Sequence, residues 1–152
     1  GLVLVESHAI LDYLDGFVPP ELALFPRTEP GRHRALRVAA LAMGLAEKAV
    51  SLFYELRLHD QVSEVWAGRC RSQILGVLAA LERERAERHG DWWFDDRIGH
   101  ADIALACALR FAGEAHPDLV VLRDHPALEA HSARCEALDV FKTISQPFIP
   151  PA

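Results

Sequence analysis

Glu6 and Ser7 are the first residues of the chain whose types and placement suit binding chemistry. They stand where a fully apolar segment, Gly1-Leu-Val-Leu-Val5, gives way to a helical pattern with Ile10, Leu11 and Leu14 on one face and Gly16 as its stop. Ser7 is a good helix N-cap, and the β-branched segment ahead of it has the pattern of a strand buried in a sheet. A strand-to-helix junction points backbone N–H groups at solvent and suits an anion. The Ser7 hydroxyl and the helix terminus can therefore hold a ligand carboxylate, while Glu6 takes a ligand ammonium. The same pair also serves as a helix cap with a dipole-complementing acid, and the residues alone leave both readings open.

Other chemistry-bearing residues form no motif. Cys70, Cys107 and Cys135 are odd in number, far apart and set in helical patterns. They suggest neither a disulfide framework nor a zinc site and read as small core residues in a reducing cytoplasm. The spacings of His116, His125 and His131 match no helical or finger ligand pattern, so no metal is expected. There is no glycine-rich phosphate loop and no Gly-x-Ser-x-Gly elbow. A net charge of −6 gives no electrostatic reason to bind nucleic acid or an anionic membrane. The densest basic stretch, Arg83 to Arg88, alternates with Glu82, Glu84 and Glu87 and reads as a salt-bridged helix face. No run of 18 apolar residues and no secretory leader pattern is present.

The elements that must position Glu6 and Ser7 are helical. At the centre is Ile98–Ala112: from Ala101 to Ala112 only Asp102 and Arg110 are charged, and apolar residues occupy every side, as in a helix surrounded by others. With Gly99 at its N-cap, Asp102 is the third helical residue and reaches back to the cap N–H, while Ile98 and Ile103 occupy the staple positions. Four prolines between Phe17 and Pro30 mark a linker packed by Leu22, Leu24 and Phe25. Gly31–His59 is one long helix with two apolar stripes. The first holds Leu36, Ala40, Met43, Val50 and Phe53 or Tyr54; the second holds Val38, Leu41, Leu45, Leu52 and Leu56 and is expected to meet another domain, another subunit, a ligand or more core. Gln61–His89 is a second helix, with Val62, Trp66, Cys70, Ile74, Val77 or Leu78, and Leu81 inward, and with Gly90 as a left-handed stop. Asp91-Trp-Trp-Phe94 is an aromatic turn plugging the bundle floor. Pro126–Phe141 reads as a helix with Leu128, Cys135 and Leu138 inward and Ser132 and Arg134 outward. The fold class is all-α, a helical bundle of residues 31–152 after a linker of residues 17–30, with residues 1–16 a leftover strand and helix. Because one strand makes no sheet, Leu2–Val5 is expected to be the last piece of a structure lying outside the chain.

Three segments carry a family resemblance. Glu6-Ser7-His-Ala-Ile10-Leu-Asp-Tyr13-Leu14, Leu24-Phe25-Pro26 and Gly99-His-Ala101-Asp102-Ile103-Ala104-Leu105 occur in order, with Arg37 after the linker and His125-Pro126-Ala-Leu128 opening a later helix. The chain thereby resembles the glutathione S-transferase family over essentially its whole length, from the end of a thioredoxin-like domain through the all-helical C-terminal domain. The resemblance implies that Glu6 and Ser7 hold the γ-glutamyl end of glutathione as cosubstrate and that Gly99, Asp102, Ile98 and Ile103 start the central helix. It further implies a small hydrophobic electrophile as second substrate, with Tyr54 near its pocket. If the chain exists alone, the strand Leu2–Val5 and the second stripe of Gly31–His59 need cover, so a homodimer is expected. Gly99 departs from the family's usual hydroxyl cap. The activating Tyr, Ser or Cys and the cis-proline of the first domain have no counterpart, so no catalytic residue is assigned. The chain is expected to be a truncated form with little activity alone. A noncatalytic, transferase-like binding or assembly module is the alternative.

Overall fold

The computed structural model describes residues 1–94 and 96–150. Among them are six α-helices: α1 (Ser7–Asp15), α2 (Gly31–Leu58), α3 (Glu64–Ala86), α4 (His100–Ala115), α5 (Pro126–Glu136) and α6 (Asp139–Ile144), with a short 3-10 turn at Leu122–Asp124. No described residue lies in a strand, and no helix is long and apolar enough to cross a membrane. Leu2–Val5 departs from expectation. It lies in no regular element and exposes Leu2, Val3 and Val5, because a strand exists only through its ladder and no described segment pairs with it.

The bundle is built on α2, which packs chiefly on α4 and then on α3, while α5 closes the other side of α3 and α4. Its core holds Val38, Leu45 and Leu52 of α2, Ile74, Leu78 and Leu81 of α3, Leu105 and Leu109 of α4 and Leu128 of α5. The two stripes of α2 therefore exchange the roles open to them. Val38, Leu45 and Leu52 form the core, whereas Ala40, Val50 and Tyr54 are exposed and Leu36 and Met43 only half-buried. Alanine decides this: Ala35, Ala39, Ala42 and Ala49 flank the second stripe and bring α4 close to the α2 backbone.

Several carboxylates replace missing caps by clipping loop N–H groups, the donors that helix ends leave unsatisfied. Asp15, the buried last residue of α1, accepts from the backbone N–H of Leu24 at 2.7 Å and of Phe25 at 2.9 Å. Glu55 accepts from Ser63 at 2.6 Å, and Glu82 accepts from Ala127 and Leu128, both at 2.9 Å, at the start of α5.

Five other expectations are corrected. α3 ends at Ala86, four residues before Gly90, and Gly90 is not left-handed; the loop carbonyls of Gly90 and Asp91 accept from Arg85 Nη2, at 2.8 and 3.1 Å. Trp66 is partly exposed, Ala67 taking the inward position. The helix expected over Pro126–Phe141 breaks at Ala137 and Leu138 into α5 and α6, and Ser132 is buried, small enough to sit between helices. Cys107 is exposed, unlike Cys70 and Cys135. It stands on the α4 face with Ile103 and Phe111 that lines an apolar groove against α6.

Candidate functional site

At the start of α1 the backbone itself is unusual. Glu6, not Ser7, is the N-cap residue, and Ser7 is the first helical residue. Glu6 has φ 69° and ψ 125°, the one non-glycine residue with positive φ among those described. Such a conformation costs roughly 1–3 kcal/mol for a residue with a Cβ and collects at ligand-binding sites. The Glu6 carbonyl accepts the first helical bond, from Ile10 N–H at 3.1 Å, and no side chain caps the helix. Both Glu6 and Ser7 are exposed, so an acid, a hydroxyl and uncapped N–H groups face outward together.

Glu6 and His8 form one wall of a cavity of about 240 Å³, whose other wall is Leu36, Ala40, Met43 and Glu47 of α2. The outer stripe of the long helix thus meets the α1 terminus. Tyr54 does not line this cavity. It lies eleven residues beyond Met43, roughly 16 Å along the helix at 1.5 Å per residue. It is half-exposed beside Phe53, and the ring of Phe53 meets Phe148 at 5.4 Å.

A second cavity, of about 460 Å³, lies between α4, α6 and the segment after α6. Ile103, Cys107 and Phe111 line one side and Phe141, Ile144 and Phe148 the other. At its edge Arg110 meets Glu114 at 3.1 Å and Glu136 at 3.2 Å. Sequence reasoning missed this groove because it counted α4 as apolar on all sides and gave the chain end no packing role.

Asp102 does what its position predicts and more. Its Oδ2 accepts from Gly99 N–H and its Oδ1 from Trp93 N–H, both at 2.8 Å, so one carboxylate starts α4 and holds the aromatic turn. Ile98 and Ile103 pack against one cluster, formed by Ala106, Cys135 and Phe141. The absent hydroxyl cap has a steric cause: a Cβ on Gly99 would come within 2.8 Å of the Leu24 carbonyl oxygen, which accepts from His100 N–H at 3.0 Å. Trp93 is fully buried and meets the ring of His131 edge-on at 5.6 Å.

His131 was singled out by sequence only as a metal candidate; it sits inside a polar chain. Arg85 Nε donates to His131 Nδ1 at 3.2 Å, which requires the proton on Nε2, and Nε2 lies 3.4 Å from Asp102 Oδ1. Burial, together with the Arg85 and Arg134 charges, pushes His131 down to about 4. Burial pushes Asp102 up, opposed by the Gly99 and Trp93 N–H groups and by Arg85. His100 is also buried, 3.9 Å from Asp15 and against the Phe25 ring, and burial lowers it. No group of three metal-ligating side chains occurs among the described residues.

A family model described as the glutathione S-transferase C-terminal domain matches residues 64–134. A glutathione transferase family member from Pseudomonas fluorescens Pf-5, solved with S-(propanoic acid)-glutathione bound, is 36% identical over 97% of this chain and 73% of its own, with a TM-score of 0.83. The chain belongs to the glutathione S-transferase family. A glutathione S-transferase from Methylobacterium radiotolerans JCM 2831 in complex with glutathione sulfonate is 30% identical over 98% of this chain and 71% of its own, TM-score 0.83. A glutathione S-transferase from Methylobacillus flagellatus KT with glutathione bound shares the fold at 23% identity and TM-score 0.84, over 92% of this chain and 68% of its own. No curated protein sequence matches.

In this transferase-family chain neither Cys107 nor Cys135 is held as an activated thiolate. Burial pushes the Cys135 thiol up to about 12, with the Asp102 charge acting in the same sense. Loss of hydration and the Glu136 carboxylate push Cys107 up as well. An attacking thiolate needs a lowered pKa.

Proposed function

We propose that this chain is part of a glutathione-using transferase and that Glu6 and Ser7 hold the γ-glutamyl end of glutathione. In this reading the ammonium lies on the Glu6 carboxylate, and the carboxylate lies on the Ser7 hydroxyl and the uncapped N–H groups of α1. The observation that carries the proposal is the left-handed Glu6 backbone at that terminus, a strain the helix does not require and a ligand can use. A relative of 35% identity solved with glutathione and one of 30% identity solved with glutathione sulfonate support it. Residues 1–16 then belong to a thioredoxin-like domain, residues 17–30 to the linker and residues 31–152 to the helical domain. The exposed stripe of α2, with Tyr54, borders the electrophile. The protein works in the cytoplasm, as its free thiols suit. Thiolate activation comes from a residue these 152 do not contain, so they have little or no transferase activity alone.

The test compares glutathione with an analogue lacking the γ-glutamyl amine, by calorimetry on the intact gene product, in native and Glu6→Gln forms. A charge-assisted hydrogen bond contributes about 1.5–3 kcal/mol, so the native protein should prefer glutathione at least about tenfold and Glu6→Gln should lose that preference. An undiminished preference in Glu6→Gln would sink the assignment.

One observation favours a second reading, a noncatalytic assembly module: Leu2, Val3, Val5, Leu14 and Phe17 are all exposed. The intact mass in source cell extract separates the two. A mass about 8 to 10 kDa above the 16.9 kDa of this chain, the size of a small domain, supports the enzyme. A mass of 16.9 kDa supports the module.

A further inference from the structure

A third cavity, open and about 900 Å³, lies between the linker and the turn after α3, away from Glu6 and Ser7. Three guanidinium side chains line it: Arg27, Arg88 and Arg97. Their partners are unusual. Arg27 Nη2 donates to the backbone carbonyls of Asp15 and Val18, and Arg97 Nη2 donates to that of Ala23. Among the described residues neither arginine has a carboxylate within ion-pair distance. In a chain of net charge −6, two cations are held in place by neutral acceptors and, among the described residues, enter no ion pair. Arg88 is engaged by Glu84 at 2.9 Å and lies over the Phe94 ring at 4.6 Å. Phe94 and half-buried Trp92 give the cleft an aromatic wall.

We propose that this cleft is a binding site for a small molecule that joins a planar aromatic ring to a phosphate. A guanidinium meets phosphate oxygens with paired N–H donors, and it is more weakly hydrated than an ammonium, so it gives up less to bind. Anchoring by carbonyls has already removed much of the side-chain freedom that binding otherwise costs. Arg27 and Arg97, neither in an ion pair among the described residues, match the two charges of a phosphate monoester. The ring stacks on Trp92 or Phe94, where base-like rings and aromatic side chains attract without hydrogen bonds. Glu21 and Asp96 also line the cleft and oppose an anion, which makes them the useful handles for a test.

The probe is phenyl phosphate, titrated at constant ionic strength against tryptophan fluorescence, with inorganic phosphate and phenol in parallel. Saturable quenching by phenyl phosphate is expected, at least about tenfold tighter than inorganic phosphate, with phenol silent. Arg27→Gln and Arg97→Gln should each weaken it about tenfold, one charge-assisted contact apiece. Both arginines also hold linker carbonyls, so Glu21→Gln and Asp96→Asn supply variants that break no such bond; each should tighten binding severalfold. Absence of saturable quenching at millimolar phenyl phosphate overturns the proposal. So does quenching that Glu21→Gln and Asp96→Asn leave unchanged.

Discussion

Gly99 occupies a position where local rules and tertiary contacts oppose each other. A hydroxyl residue is a better N-cap than glycine by about a few tenths of a kcal/mol, and Gly99→Ser would supply it. Yet its Cβ would meet the Leu24 carbonyl oxygen at 2.8 Å, a backbone atom held by the His100 N–H. Gly99→Ser should therefore destabilise by about 1–3 kcal/mol, as overpacking does, and a urea midpoint below that of the native protein checks it. A more stable variant would show that the linker yields. His131 sets a second expectation. Its proton affinity is low when folded and ordinary when unfolded. As pH falls below about 6.5 the unfolded chain takes up a proton that the folded chain refuses, so stability present above that pH drains away down to about 4. Asp102 acts in the opposite sense. Its raised pKa makes the folded chain accept a proton early and returns part of the loss. His131→Gln should lower stability at neutral pH, because the ring packs on Trp93, and should flatten the fall between those pH values in urea titrations. An unchanged slope would remove His131 from the account.

The helices of the bundle were legible because each is long and periodic. α2 and α4 lie within three residues of their expected bounds, and Ser63 caps α3 by accepting from Trp66 N–H at 3.4 Å. The start of α4 was legible in the Asp102 spacing. The clip at Asp15 was not, because nothing local marks an acid at the end of a short helix as the acceptor for N–H groups nine and ten residues away. That clip joins α1 to the linker. Asp15→Ala leaves the Leu24 and Phe25 N–H groups unpaired and should cost about 2–4 kcal/mol. Limited proteolysis should then cut between Phe17 and Leu22 faster than in the native protein. Equal cleavage rates would mean that the linker is held by its apolar contacts alone. Gly90 teaches the reverse lesson. A glycine after a helix suggests a left-handed stop, but α3 ends four residues earlier, at Ala86, and the glycine keeps ordinary φ.

Across the whole molecule, unburied apolar surface gathers in the first eighteen residues and along the outer stripe of α2. Leu2, Val3, Val5, Leu14 and Phe17 are exposed, as are Val50 and Tyr54. A helix face with that composition is stable in water when something covers it, and a second copy is the nearest source. Sedimentation at micromolar concentration should show a dimer. A monodisperse monomer would leave the face to another domain or a ligand.

What the sequence determined by itself follows from local physics. Helix periodicity and the reach of a carboxylate three residues into a helix need only neighbours, and these established the all-helical bundle, the central helix and the glutathione S-transferase resemblance. What the tertiary structure decided depends on partners distant in sequence. It determined which α2 stripe is core, because alanines let α4 approach on one side only. It explained Gly99 through a linker carbonyl seventy-five positions earlier. It left Leu2–Val5 without a ladder among the described residues, and it gathered Arg27, Arg88 and Arg97 around one cleft from two separate segments. A pattern along the chain specifies which residues share a face; the packing of one element on another decides what that face meets.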